Sequence, residues 1–383
     1  MKQLLFAFVV SSALLVAAQS QARIAPARAR YDWQALPDNK WVKLPTTGAT
    51  PTKVFHGGMA LDTEQDQLLV FGSDSHRRPQ DFDNSVYRLN LTTLQWSRDY
   101  QPDAVAHYEV SQDKIARTTT GRPWAEHSFD ALDYIPALKR LALTQFPDHA
   151  FLFYESRRFD KQQIRPVTWL YDPAQKSWEA LGGATPNLFA KAMVYDPETN
   201  QLVGCDGEGG TWLFDVAARQ WARSAATGGP TGWHLSMEYD THLKRILAYG
   251  NMQNSQALWA FDAVAQKWEQ LQTATRAPVG NGAALAYSTA ARALLFLASK
   301  ARQTYSNTTG ESETWVFDSV RKDWRRLAVK SPPLYGMNYH NVYDPKRDVM
   351  LFGERGKGAG AQGGPLAIWA FRYAPTASRQ TQQ

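Results

Sequence analysis

Apolar and polar residues alternate along most of this chain in short runs that end at Asp or Asn. "TWLYDPAQKSWEAL", Thr168 to Leu181, shows the form. A two-residue period is that of a half-buried strand, and an Asp or Asn followed by polar residues opens a tight turn. The motif returns as "TWLFDVAARQWARS" from Thr211, "LWAFDAVAQKWEQL" from Leu258 and "TWVFDSVRKDWRRL" from Thr314, with a diverged copy, "VYRLNLTTLQWSRD", from Val86. In each copy an aromatic residue stands nine places before a tryptophan: Tyr87 and Trp96, Trp169 and Trp178, Trp212 and Trp221, Trp259 and Trp268, Trp315 and Trp324. Strand, turn and strand account for that spacing.

A second strand pair precedes each copy. "AMVYDPETNQLVGC" from Ala192 matches "SMEYDTHLKRILAY" from Ser236, and "MALDTEQDQLLVF", "ALAYSTAARALLFL" and "NVYDPKRDVMLF" belong with them. Each unit is thus four short strands with two turns, which is the composition of a propeller blade. Helical periodicity is absent beyond the N-terminal apolar run. The last unit ends at "IWAFRYAP" with three strands, and "NKWVKLP" around Trp41 supplies the missing outer strand from the other end of the chain. The reading is an all-β, six-bladed propeller over residues 39–375, with seven blades as the alternative. A lead-in covers 23–38 and a polar tail 376–383.

This pattern resembles the kelch-repeat propellers, including the central domain of the galactose-oxidase family. The likeness rests on the Tyr/Phe-Asp turns, the paired aromatics and strands such as "LLVFG" (Leu68 to Gly72) and "MLFG" (Met350 to Gly353). The usual double glycine after the second strand is mostly replaced, as at Gly72-Ser73, Gly250-Asn251 and Gly353-Glu354. The resemblance implies a rigid ring but no particular activity, because propellers host enzymes and passive binders alike.

The N-terminus changes the picture of location. Lys2, an apolar run from Leu4 to Ala18 and then Ser20-Gln21-Ala22 form a signal-peptide pattern, with cleavage expected after Ala22. The run is shorter than the ~20 residues of a membrane span. An exported, periplasmic or secreted protein is expected. The single cysteine, Cys205, allows no internal disulfide. The formal charge of +6 is scattered, so no nucleic-acid surface is implied.

Candidate chemistry gathers on one face. Loops between second and third strands, and between blades, share a top face, and the Asp-opened turns share the bottom. His56, His127 and His234 each precede by six the Asp expected to open the first turn (Asp62, Asp133, Asp240). They are expected side by side at the top of the channel, with His340 two residues further down its strand. His149 and Arg78 lie in top loops. Lys191 and Tyr339 sit one residue below the histidine register, and Trp124 and Trp233 precede it.

Aromatic rings beside polar groups suit the flat faces of sugars. The expected partner is therefore a glycan, most concretely an acidic polysaccharide, with a protein partner as an alternative. If the site is catalytic, uronate β-elimination would use His127 and His149 as base and acid and Lys191 to neutralise the carboxylate. His56, Trp124, Trp233, His234, Tyr339, His340 and Arg78 would bind substrate. The rival readings are a non-catalytic glycan- or protein-binding module and a kelch-type sugar mutarotase. Copper-radical oxidation is rejected because Cys205 falls in a core slot. No HxH or HxxxH spacing marks a metal site, and no cofactor is implied.

Overall fold

The computed structural model describes residues 30–73, 82–148, 158–250, 255–278, 282, 284–301, 307–357 and 364–375. The signal-peptide pattern, residues 23–29 of the lead-in, the C-terminal tail, His149 and Arg78 lie outside the described residues.

Six antiparallel sheets form the ring. Blade 1 runs Met59–Asp62, Gln67–Phe71, Val86–Asn90 and Gln95–Arg98. Blade 2 runs Leu132–Ile135, Arg140–Gln145, Val167–Asp172 and Ser177–Ala180. Blade 3 comprises Ala192–Asp196, Gln201–Cys205, Thr211–Asp215 and Gln220–Arg223, and blade 4 Ser236–Asp240, Arg245–Tyr249, Leu258–Asp262 and Lys267–Leu271. Blade 5 comprises Ala284–Ser288, Ala293–Ser299, Ser312–Asp318 and Asp323–Arg326. Blade 6 takes Asn341–Asp344, Val349–Glu354 and Ala367–Phe371 from the end of the chain and Trp41–Lys43 from its beginning, with Trp41 opposite Phe371.

The turn chemistry is local. The Oδ1 of Asp62 accepts the backbone N–H groups of Glu64 and Gln65 at 3.0 Å each, and Asn90, Asp172, Asp240 and Asp344 repeat the arrangement. A residue with positive φ then turns the chain back: Asp66, Leu94, Lys176, Lys244 and Asp348, at 52–56°. Blade 2 departs from this. Its first turn opens at Ile135, not Asp133, because Ile135 pairs with Arg140 where Asp62 pairs with Gln67.

Two elements extend the repeat. Thr47–Gly48 adds a parallel fifth strand to blade 1, and a hairpin of Tyr108–Val110 and Ala116–Thr118 fills the long connection from blade 1 to blade 2. The core lies between blades, in apolar clusters that join neighbouring sheets. It is ordered by a recurring indole bond. Trp221 of blade 3 donates to Thr168 of blade 2 at 2.7 Å, Trp268 of blade 4 to Thr211 of blade 3 at 2.7 Å, and Trp41 of blade 6 to Thr314 of blade 5 at 2.8 Å.

The top of the central channel is closed by backbone hydrogen bonds that step from blade to blade. Phe129 N–H donates to His56 O, Met193 N–H to Asp130 O, His234 N–H to Ala190 O, Gly282 N–H to His234 O and Asn338 N–H to Gly282 O, and Gly58 bridges Tyr339. His56, Phe129, Ala190, His234 and Gly282 share this register, and all five have positive φ, between 47° and 66°. Four of them carry side chains for which that backbone is uncommon. The ring of bonds holds them there.

Candidate functional site

The turn shift in blade 2 overturns one sequence expectation. Phe129, not His127, is the counterpart of His56 and His234. The Phe129 ring then plugs the top of the channel. It lies parallel to the His56 ring at 5.9 Å and packs on His127 at 5.3 Å, His234 at 5.6 Å, Tyr339 at 5.8 Å and Phe189 at 5.1 Å. His56 and His127 meet edge-on at 4.8 Å. The structure does bring His56, His127, His234 and Tyr339 together, but as a buried layer, with His127 only 2% exposed.

The layer's electrostatics follow from burial. Desolvation, with Lys191 and His127 nearby, pushes the His234 imidazole down to about 4, and its Nδ1 shares a 3.1 Å hydrogen bond with the Tyr339 hydroxyl. His340 lies below, wholly buried, bonded through Nδ1 to Asn338 Oδ1 at 2.8 Å. Burial pushes it down to about 3. Both rings are neutral near pH 7. Arg355, which the sequence reading did not single out, lies buried with its guanidinium 4.4 Å from the centre of the Phe55 ring. Trp124 is also a core residue. It is fully buried, stacked on Tyr108 at 5.2 Å, and its indole donates to Arg117 O at 2.7 Å. The hairpin absent from the repeat pattern covers it, so Trp124 offers no substrate surface. Cys205 is buried, and desolvation raises its thiol to about 12.

Lys191 and Trp233 fare differently. Trp233 is 52% exposed, the one exposed aromatic side chain among the described residues. The Lys191 ammonium lies 5.2 Å from the centre of its ring and donates to Gly232 O at 2.8 Å. Both line a top-face recess of about 410 Å³ over blade 3, with Phe146, Phe189 and Trp212 as further apolar wall. Asn187, Asp148, Asp206 and Glu208 supply the polar rim. Asp206 is fixed by the amides of Glu208 and Gly210, at 2.9 Å each, and by the Trp212 indole at 3.2 Å. Gly207 makes this approach possible. Its φ is +69°, and a Cβ there would collide with Gly232 O and Lys191 Nζ. Burial lowers the Lys191 ammonium, opposed by Cys205, Asp206 and Glu208.

A second cavity, of about 340 Å³, occupies the channel below the plug. First-turn residues Thr63, Pro136, Pro197, Thr289 and Pro345 line it, so it opens on the bottom face. Three acids project into it: Asp130, Asp133 and Glu238. Desolvation raises Asp130 to about 8 and Asp133 to about 6, and burial, with both acids nearby, also raises Glu238 well above the usual carboxylate range. The sequence did carry a signal here. Asp133 and Glu238 occupy the slot filled by Ala60, Val194, Ala286 and Val342 in the other blades, so two charges interrupt an otherwise apolar column.

Among the described residues no group of histidines, cysteines or acids has metal-binding geometry, and no helix is long and apolar enough to cross a membrane. No protein-family model matches the chain, and no curated protein matches it. What the chain is rests on its own strand order: a six-bladed β-propeller.

Proposed function

We propose that this propeller is a non-catalytic binding module that recognises a neutral or amine-bearing glycan in the top-face recess. The carrying observation is Trp233, an exposed indole beside fixed polar groups on an otherwise buried aromatic scaffold. A flat ring with hydrogen-bonding groups at its edge suits the apolar face and equatorial hydroxyls of a sugar. The charge of the rim supports a neutral ligand over the acidic polysaccharide that the sequence suggested. Asp148, Asp206 and Glu208 outnumber Lys191, whose charge is already directed at Gly232 O.

Burial of the histidines supports binding over β-elimination. A general base works best with a pKa near the working pH and within reach of the substrate proton. His127 is enclosed by Phe55, His56 and Phe129, and His234 is held far below neutrality. The kelch-like turns and the N-terminal signal pattern complete the proposal: an exported module, cut after Ala22. Intact-mass measurement of exported protein should give an N-terminus at Arg23, and a retained Met1 would contradict export by cleavage. For binding, wild type and Trp233→Ala are compared on an immobilised panel of neutral, amino-sugar and uronate glycans. Retention of neutral or amino sugars by wild type alone supports the reading. Retention of uronates only, or release of unsaturated uronate, overturns it.

A further inference from the structure

We propose that the lower channel is a second binding site, for a small organic cation carrying protonated amines. The cavity is large enough for a small ligand, at about 340 Å³. Its lining contains three carboxyl groups and no Lys, Arg or His. Of the basic side chains on the turns around its mouth, Arg140 pairs with Asp172 and Arg245 with Asp262, at 2.8 Å each, while the exposed Arg292 and His242 make no ion pair among the described residues.

The three acids are not equivalent. Asp130 reaches across the channel to accept the Met237 amide at 2.8 Å, and Asp133 accepts the amides of Tyr195 and Tyr134 at 2.6 and 2.7 Å. These two have structural work. Glu238 has none: it is enclosed by protein, its partial exposure is to the channel itself, and no hydrogen bond or ion pair among the described residues engages its carboxyl. A charge placed there in an empty channel would be uncompensated.

The mouth is lined by Tyr134, Tyr195, Tyr239, Tyr287 and Tyr343, one from each of blades 2 to 6 at a single register. Their hydroxyls are anchored to the turns: Tyr195 donates to Asn200 Oδ1 at 2.8 Å, Tyr343 to Asp348 Oδ1 at 2.6 Å, and Tyr287 accepts the His242 amide at 3.3 Å. No ring of the five packs on another aromatic ring among the described residues; Tyr134 and Tyr287 are buried against the inter-blade core, and Tyr195, Tyr239 and Tyr343 are partly exposed. Aromatic faces around a floor of carboxyl groups attract ammonium groups, the more so as those carboxyls ionise. The same three acids and five phenols are the titratable groups that face a ligand here, and burial raises all eight. A cation entering the channel would favour ionised carboxylates and release their protons to solvent.

The test is isothermal titration of the full chain with putrescine, and with n-butanol as the neutral control, at pH 6.5 and 8.5. The site is supported if putrescine binds, binds more tightly at pH 8.5, and loses at least about tenfold in affinity in Glu238→Gln, equivalent to ~1.4 kcal/mol. Heats that vary with buffer ionisation enthalpy at pH 6.5 would report the released protons. Trp233→Ala serves to separate the two sites and should leave putrescine binding unchanged. Absence of binding at millimolar putrescine, equal binding of n-butanol, or an unchanged Glu238→Gln variant of wild-type melting temperature would overturn the proposal.

Discussion

The indole of Trp41 donates to the Thr314 hydroxyl at 2.8 Å, across 273 positions of sequence. It is the bond that Trp221 makes to Thr168 and Trp268 to Thr211 between neighbouring blades. The N-terminal strand therefore closes the ring with the joint used elsewhere around it. Where the threonine slot holds Leu258 or Ile368, the facing Trp324 and Trp96 indoles have no partner among the described residues.

Thr314→Val keeps the volume and removes the acceptor. It should cost ~1–3 kcal/mol by leaving the buried Trp41 N–H unsatisfied. Trp41→Ala should cost more, ~3–5 kcal/mol, from cavity formation as well. Urea unfolding measures both. A Thr314→Val chain as stable as wild type would mean that the joint contributes nothing to closure.

His127→Ala should destabilise the protein by about 2 kcal/mol or more, since it empties a fully enclosed site. The sequence had placed this imidazole at an open channel mouth, where its loss would leave the melting temperature nearly unchanged. The ring contacts with Phe55, His56 and Phe129 reverse that expectation. Denaturant midpoints of the variant and wild type decide it.

The blades were legible because their chemistry is local: alternation, an Asp or Asn at most turns, and a tryptophan on each outer strand. Closure was legible because a three-stranded last unit requires a fourth strand. The site was less so. Asp133 occupies a position that reads as a turn opener, and only the pairing of Ile135 with Arg140 shows the two-residue shift that puts Phe129 in the plug. Whether a residue at the channel end faces solvent depends on what fills the channel, which no single repeat contains. The top-face placement of Trp233 and Lys191 was legible from position alone, but the carboxylates beside them come from two separate loops.

Stability should fall as pH rises from 6.5 to 8. Asp130 and Glu238 have folded pKa values above their unfolded ones, so the folded state binds more protons through this window, and each unit of pH favours unfolding. His234 and His340, lowered in the fold, act in the opposite direction but only below about pH 6.5, where the unfolded imidazoles become charged. Melting temperatures at pH 6.5 and 8 should differ in that sense, and Glu238→Gln should narrow the difference. A rise in stability across this window would contradict the assigned environment of the channel acids.

Gly207→Ala should weaken glycan binding and cost ~1–3 kcal/mol, because its left-handed backbone and the nearby Lys191 leave no room for a methyl group. Circular dichroism melts and binding to the glycan retained by wild type give the two readouts. Normal binding by a fully stable variant would mean that Lys191 is not held by this approach.

The central claim is that recognition runs through the exposed indole of the top-face recess. Its most direct test is the dissociation constant of wild type and Trp233→Ala for the oligosaccharide that wild type retains best, with both melting temperatures recorded. Loss of one stacking face should weaken binding about tenfold or more, a difference of ~1.4 kcal/mol. The melting temperatures should agree, because a half-exposed ring contributes little to the core. Equal dissociation constants at equal stability would contradict the account and place recognition elsewhere on the propeller.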